Sequence, residues 1–176
     1  MEYGNKTTTK HKIIMKVNIK KLHKDAVVPY KAYPNDFCYD CVAVSEEEIA
    51  PNVWKYGLGL AFQIKRGYEP IYNTGFGDIA TDLKISPINI SIDARPRSSV
   101  WKTGMVLSNC EGTIDENYTG EVSAVFYHVM PNMPRYKVGD RVCQIKLGTA
   151  FPMEFVLVDS LNETDRADNG YGSSGK

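Results

Sequence analysis

The chain has no excess of charge of either sign, since 21 Lys and Arg residues balance 21 Asp and Glu residues among 176. Domains that bind a nucleic-acid backbone are usually strongly basic, so this balance argues against nucleic acid as a partner. The chain also lacks an apolar run near the roughly 18 residues that a membrane-spanning helix needs. Its N-terminus has no apolar segment followed by a small-residue cleavage site. We therefore expect neither a membrane partner nor a secretory signal.

Cysteine and histidine are scarce, with four and three residues respectively. Four cysteines are too few for a disulfide scaffold in a chain of this length, so we predict reduced thiols in a cytoplasmic protein, or in host cytoplasm if the source is viral. Cys38 and Cys41 form a single CxxC pair, whereas Cys110 and Cys143 are isolated. A zinc site, which needs about four ligands, is therefore not favoured over buried thiols in a β core.

Alternation and frequent turns dominate what the sequence does contain. Met15, Val17 and Ile19 alternate with polar residues, which is the period of a half-buried strand. Hydrophobic residues make up 43% of the chain, enough for a core. Many short strands separated by proline and glycine favour an all-β barrel or sandwich, and the one helical candidate, 44–52, is cut short by Pro51. Further strand-like runs cover residues 41–44, 58–65, 85–92, 104–108, 121–129, 141–146 and 154–159.

Composition also suggests how the chain is divided. Residues 1–14 are polar and are predicted to be a disordered leader, and residues 15–161 a single β domain. Within that domain, residues 65–90 form a possible long insertion, either a plain hairpin or a partner-binding segment. Residues 162–176 have almost no apolar content and are predicted to be a mobile C-terminal arm. The run 121–129 is apolar on both faces, so we predict that this strand is covered on both sides.

Five short segments could carry chemistry. ARPRSS at 94–99 places a guanidinium beside hydroxyls in a proline-fixed turn, which suits phosphate oxygens. NCEGTIDENYTGE at 109–121 is predicted to be a hairpin with Asp115 and Tyr118 near its base. In GDRVCQI at 139–145, Gln144 needs a polar partner if it is buried. The other two are CYD at 38–40 and RADNGYGSSG at 166–175, and each segment alone is more simply a surface turn, a hairpin or a polar tail.

Together and in this order, the five segments resemble the trimeric deoxyuridine triphosphatases (dUTPases), over roughly residues 15–176. The chain differs at Cys38, where the family usually has glycine, at Tyr171, where it usually has phenylalanine, and in its longer 65–90 stretch. The resemblance implies an all-β fold, a distorted jelly roll or β-barrel with a flexible C-terminal arm. It also implies a homotrimer whose active sites are shared between subunits.

The resemblance further implies that dUTP is hydrolysed to dUMP and pyrophosphate by Mg²⁺-assisted attack of water on the α-phosphate. Asp115 would be the general base. Mg²⁺ would be held mainly by phosphates and waters, with Asp40 contacting it through water. From about Thr164 onward, the tail would become ordered only when the triphosphate binds. The residues implied to bind phosphates are Arg97, Ser98, Ser99, Gln144, Arg166, Ser173 and Ser174. Those implied to bind uracil and deoxyribose are Asn109, Gly112, Thr113, Ile114, Tyr118 and Tyr171.

Two alternatives remain open from the sequence. A dCTP deaminase on the same fold would use a glutamate base in the strand after the hairpin, and Glu121 is the only obvious candidate. A non-catalytic regulatory module could also retain the fold. The segment from Gly112 to Tyr118 favours the triphosphatase, and assays of ammonia release from dCTP and pyrophosphate release from dUTP would separate the three.

Overall fold

The computed structural model of the chain describes residues 15–65, 88–165 and 167. The predicted leader, residues 1–14, and residues 66–87 of the predicted insertion lie outside this part. The described part contains ten β-strands and one short 3-10 helix, Ser98–Lys102. The strands are β1 (Lys16–Lys21), β2 (Tyr39–Val42), β3 (Ser45–Ala50), β4 (Val53–Gly57), β5 (Leu60–Lys65), β6 (Asn89–Pro96), β7 (Met105–Leu107), β8 (Gly112–Asp115), β9 (Ser123–His128) and β10 (Arg141–Ala150).

Two four-stranded antiparallel sheets share one core. Their strand orders are β2-β10-β6-β8 and β3-β4-β9-β7, and β1 pairs with β5 in a separate ladder. The most deeply buried large side chains come from both sheets and the β4–β5 connection, and include Tyr56, Leu58, Phe126 and Val142. The predicted all-β, jelly-roll-like fold is confirmed. The described strands form open sheets and do not close into one barrel.

Strand β9 is covered on one face only. Ala124 and Phe126 are buried, whereas Tyr127 and Val129 are about half exposed. The prediction that both faces are covered is wrong for the single chain. Strands β4 and β7 lie beside β9, edge to edge, and leave its outer face open.

Two other predicted segments have different local structures. The candidate helical turn at 44–52 is strand β3 followed by a turn at Asn52, which has a φ of 60°. Pairing with β4 satisfies this backbone, so the local helical preference is overridden. The predicted strand at 154–159 is an exposed segment without strand structure, because no described strand pairs with it.

The sheet β2-β10-β6-β8 positions the polar groups of interest. Its register places Gln144 opposite both Asp40 and Arg95, and Lys146 opposite Asp93. Residues directly opposite each other in an antiparallel sheet project from the same face. These polar side chains therefore share one face, while the alternating apolar positions of the same strands belong to the core.

Candidate active site

A cavity of about 270 Å³ lies between the edge strand β8 and strand β9. Residues 122–125 and Leu107 line the side formed by β7 and β9. The other side contains, in a single group, the base-reading and catalytic residues predicted for the hairpin. These are Asn109, Gly112, Thr113, Ile114, Asp115 and Tyr118.

The loop before β8 turns sharply at Cys110, which has a φ of 55°. The backbone N–H of Glu111 donates to the carbonyl of Asn109 across this residue, which makes a γ-turn. Such a turn is strained for a residue that carries a Cβ. A Cβ on Gly112 would lie 3.1 Å from the Asn109 side-chain nitrogen. The turn and the glycine together hold the Asn109 amide against the first residue of β8.

Asp115 ends strand β8 with an exposed side chain, and the chain turns back at once. The Tyr118 N–H donates to the Asp115 carbonyl at 3.0 Å, and the Tyr118 hydroxyl donates to the Glu121 carbonyl at 3.0 Å. A Cβ on Gly120 would lie only 2.6 Å from the Tyr118 hydroxyl oxygen. The tyrosine ring therefore rests on a position where only glycine fits without a shift.

A second group of predicted site residues meets where β2, β10 and the end of β6 lie side by side. The buried Asp40 carboxylate accepts hydrogen bonds from Arg97, at 2.7 Å from Nε and 3.3 Å from Nη2. It also accepts one from Arg141 Nη1 at 3.0 Å. Arg97 Nη1 donates to the Ser99 hydroxyl at 3.3 Å. Two guanidiniums on one carboxylate leave a net positive charge, which suits phosphate oxygens.

Gln144 completes this second group. Gln144 is half-buried, and its Nε2 donates to the Pro96 carbonyl at 3.0 Å, so the side chain has a polar partner. Ser98, beside Ser99 at the start of the 3-10 helix, is exposed. The predicted phosphate-binding residues of the described chain are therefore gathered around Arg97.

The two groups do not meet within one chain. Strands β2 and β8 are the opposite edges of their sheet, and three strand spacings amount to about 14 Å. Asp115 lies opposite Ser91, whereas Asp40 shares a row with Arg95, four residues further along β6. Asp40 is thus about 20 Å from Asp115, measured diagonally across the sheet.

The sequence matches known proteins over most of its length. A sequence model of the family described as dUTPase matches residues 74–175. The deoxyuridine 5'-triphosphate nucleotidohydrolase of Helicobacter hepaticus is 30% identical over 163 residues, which cover 92% of this chain and 89% of that protein. The protein of the same name from Nautilia profundicola is 29% identical over 164 residues, covering 92% of this chain and all of that one.

The chain belongs to the dUTPase family.

Solved dUTPase structures have the same fold. The dUTPase of Staphylococcus bacteriophage 80alpha with dUPNHPP superposes with a TM-score of 0.67 at 18% identity, covering 92% of this chain and 99% of that one. A mutant dUTPase of S. aureus phage phi11, in which a structural Mg(II) ion is coordinated, has a TM-score of 0.59 at 15% identity. That match covers 84% of this chain and 99% of the phage chain.

The dUTPase resemblance also implied four residues of the C-terminal tail. The tail residues Arg166, Tyr171, Ser173 and Ser174 lie outside the described part of the chain. The predicted ordering of the tail on nucleotide binding concerns the same region, so it stays a prediction.

Glu121, the candidate base for a deaminase, has a structural contact. Its Oε1 accepts a hydrogen bond of 2.9 Å from the backbone N–H of Gly59. A Cβ on Gly57 would lie 2.7 Å from the same oxygen. This carboxylate is therefore held by the β4–β5 turn, which does not favour the deaminase alternative.

Sequence reasoning missed a buried ion pair on the polar face of the sheet. Lys146 Nζ donates to Asp93 Oδ2 at 2.5 Å, and the Ser91 hydroxyl donates to Asp93 Oδ1 at 2.7 Å. Burial opposes ionisation of Asp93, but the hydrogen bonds from Lys146 and Ser91 outweigh it and lower its pKa. The cross-strand register, which the sequence does not reveal, creates this pair. Sequence reasoning also missed Arg141, which donates to Asp40.

The CxxC cysteines do not form a metal centre in the described structure. Cys41 is buried opposite Cys143 on the neighbouring strand. Its hydrogen bond to Cys143 and its burial raise the pKa of the Cys41 thiol, which stays protonated. Among residues 15–65, 88–165 and 167, no three His, Cys, Asp or Glu side chains gather as metal ligands. The water-mediated metal contact of Asp40 stays a prediction. In the described structure both oxygens of Asp40 accept hydrogen bonds from arginines.

In the described ranges, no helix is both long enough and apolar enough to cross a membrane.

Proposed function

We propose that this protein hydrolyses dUTP to dUMP and pyrophosphate. Membership of the dUTPase family supports this reaction. The observation that carries it is the cavity beside β8, where Asp115 and the predicted base-reading residues line one wall. A cavity of about 270 Å³ suits a small ring compound, with the phosphates extending outside it.

Recognition of uracil follows from the position of β8 at the edge of its sheet. In the described chain β8 pairs only with β6, so its other edge keeps backbone N–H and C=O groups free to bind a ligand. Uracil presents donors and acceptors that such an edge can satisfy, and cytosine reverses the pattern at position four. A mismatch would leave buried polar groups unpaired, which costs about 10⁴-fold or more in specificity. The Asn109 amide and the Tyr118 ring enclose the base and the deoxyribose.

Asp115 acts as the general base. Its carboxylate takes a proton from a water molecule as the water oxygen bonds to the α-phosphorus. The bond from that phosphorus to the bridging oxygen breaks, and pyrophosphate leaves with the electron pair. Arg97, Ser98, Ser99 and Gln144 bind the α- and β-phosphates.

Charge neutralisation at the phosphates provides most of the rate acceleration. The tail, residues 162–176, closes over the nucleotide, with Arg166, Ser173 and Ser174 on the γ-phosphate and Tyr171 over the base. Mg²⁺ suits a site that offers phosphate oxygens rather than a protein cage, and when bound it would neutralise further charge there.

The functional unit is a homotrimer with shared sites. The distance of about 20 Å between Asp115 and Asp40 supports this, because one chain cannot place both groups on one triphosphate. Residues 151–161 support it as well. Phe155, Leu157 and Leu161 are at least 87% exposed in the single chain. An extended apolar segment of this kind is typical of a contact with another subunit.

The decisive experiment measures pyrophosphate release from dUTP, dCTP, dTTP and UTP with Mg²⁺ present. The wild type should act on dUTP at least 100-fold faster than on the others, and Asp115→Asn should lose at least 100-fold in kcat. Asp25→Asn, at an exposed carboxylate that does not line the cavity, is the matched control and should keep the wild-type rate. Equal rates for Asp115→Asn and wild type would reject the assigned base, and an inactive wild type would reject the function in favour of a non-catalytic module.

A further inference from the structure

Strand β10 contains a β-bulge next to the phosphate-binding group. Arg141 lies opposite Val42 and Cys143 lies opposite Cys41, so two steps on β10 match one step on β2. Val142 and Cys143 are consecutive, yet both are at most 1% exposed. Both side chains thus project into the core, as two adjacent residues of a bulge can.

The bulge changes the face on which Arg141 lies. In a regular strand, residues three apart project from opposite faces, so Arg141 would lie on the core face, away from Gln144. The extra residue moves Arg141 to the polar face that Gln144 and Asp40 share. There its Nη1 donates to Asp40 Oδ2 at 3.0 Å.

Asp40 then holds two arginines at once. Its side chain is only 12% exposed, while those of Arg97 and Arg141 are 22% and 40% exposed. The shared carboxylate offsets the repulsion between two neighbouring guanidiniums and fixes their orientation. Among the described residues, Arg141 uses only Nη1 in a hydrogen bond, so its remaining N–H donors are open to an anion.

We propose that Arg141 is a further phosphate-binding residue and that Asp40 is the positioning residue that holds Arg97 and Arg141 as one anion-binding pair. The proposal rests on the proposed function and deepens it, since the anion is the triphosphate of the nucleotide. It also gives Asp40 a role other than a water-mediated contact with Mg²⁺. An added cation beside two guanidiniums would be repelled, whereas a phosphate would be attracted.

Equilibrium binding tests the pair without turnover. Titration calorimetry compares the non-hydrolysable dUTP analogue dUpNHpp with deoxyuridine, which carries no phosphate. Arg141→Gln should weaken dUpNHpp binding at least tenfold and leave deoxyuridine binding within twofold. Arg141→Lys keeps the charge but not the fork of donors, so it should lose only about threefold to tenfold. Lys137→Gln, which removes a positive charge that pairs with Glu46, controls for net charge and should bind as the wild type does.

Asp40→Asn tests the positioning role. It should raise KM for dUTP at least tenfold at saturating Mg²⁺, with the half-saturating Mg²⁺ concentration unchanged. Combined with Arg141→Gln, it should add less than the product of the two single effects, because both act through one pair. If Asp40→Asn does not fold by circular dichroism, the Arg141 variants decide the proposal alone.

Three results would overturn the proposal while the wild type hydrolyses dUTP. The first is Arg141→Gln binding dUpNHpp within twofold of the wild type, and the second is an equal loss for deoxyuridine, which would indicate a distorted site. The third is recovery of Asp40→Asn at high Mg²⁺, which would return Asp40 to the metal. Failure of the wild type to hydrolyse dUTP would instead reject the proposed function.

Discussion

The Glu121 carboxylate accepts a hydrogen bond of 2.9 Å from the backbone N–H of Gly59. Gly59 has a φ of 62°, and its tight turn connects β4 to β5. Glu121 itself lies just before β9 and lines the cavity beside β8. The same side chain thus joins the wall of the candidate site to the core-forming turn, which explains its presence without a catalytic role.

Substitution of Glu121 should therefore affect stability more than chemistry. Glu121→Ala leaves the Gly59 N–H without its acceptor and should lower the free energy of unfolding by about 1–3 kcal/mol, measured by urea titration. Glu121→Gln keeps an acceptor oxygen and should lose less than about 1 kcal/mol. Below its unfolding temperature, the Glu121→Gln variant should release pyrophosphate from dUTP at a rate within about threefold of the wild-type rate. A normally stable but inactive Glu121→Gln would contradict this assignment, as would ammonia release from dCTP by the wild type.

Gly120→Ala should damage sugar recognition. The new Cβ would lie 2.6 Å from the Tyr118 hydroxyl oxygen and 2.7 Å from the adjacent ring carbon, so the ring must move. We expect KM for dUTP to rise about tenfold and discrimination against UTP to fall, because Tyr118 no longer closes the space beside the sugar. Gly139→Ala is the matched control: nothing lies within 4 Å of its Cβ, and its φ of 91° imposes only backbone strain. It should lose about 1 kcal/mol of stability and keep the dUTP/UTP ratio, and equal selectivity in both variants would refute the role of Tyr118.

The sequence was most informative where local chemistry defines a motif. Asp115, Tyr118 and Asn109 belong to one short segment, and a hairpin keeps such neighbours together, so they line one cavity. Their roles came from the family resemblance. Arg97 and Gln144 are far apart in sequence, and only the family resemblance linked them. Their meeting depends on the register between β6 and β10.

Other features could not be predicted because long-range pairing decides them. Side chains of a regular strand alternate between its two faces, and this alternation is how residues are assigned to a face from the sequence. The bulge at Val142 breaks the alternation, so Arg141 was overlooked. The run 44–52 contains residues that favour a helix, but pairing with β4 makes it a strand. The run 154–159 contains residues that favour a strand, but no described strand pairs with it. In each case the pairing partner outweighs the local pattern.

The ion pair between Asp93 and Lys146 should make stability sensitive to acid. Burial raises the pKa of Asp93, but hydrogen bonds from Lys146 and Ser91 prevail and lower it below the usual value of about 3.9. A lowered pKa means that the ionised carboxylate stabilises the fold above about pH 4, and that this contribution is lost as pH falls through the lower native value. The melting temperature of the wild type should therefore fall from pH 5 to pH 2, and Asp93→Asn should fall less steeply over the same range.

Asp93→Asn should also be less stable than the wild type at pH 7, by about 3 kcal/mol, because Lys146 is left buried without its partner. Ser91→Ala, which removes only one neutral hydrogen bond to the same carboxylate, is the control and should lose about 1 kcal/mol. Parallel pH profiles for Asp93→Asn and wild type would show that Asp93 does not carry the acid sensitivity.

Mixing two inactive variants should restore activity if the site is shared between subunits. Asp115→Asn lacks the base, and Arg97→Gln lacks the phosphate contact about 20 Å away on the same chain. In a cyclic trimer that contains both variants, one interface joins an intact Asp115 to an intact Arg97. Equal amounts refolded together should therefore recover about a quarter of the wild-type rate, since about three quarters of the trimers are mixed and each has one intact site of three.

Light scattering should show a particle of three chains for each variant and for the mixture. Each variant refolded alone is the control and should remain inactive. A trimeric mixture with no recovered activity would contradict shared sites, because it would place Asp115 and Arg97 in one single-chain site. Their separation of about 20 Å across the sheet allows such a site only after a large rearrangement.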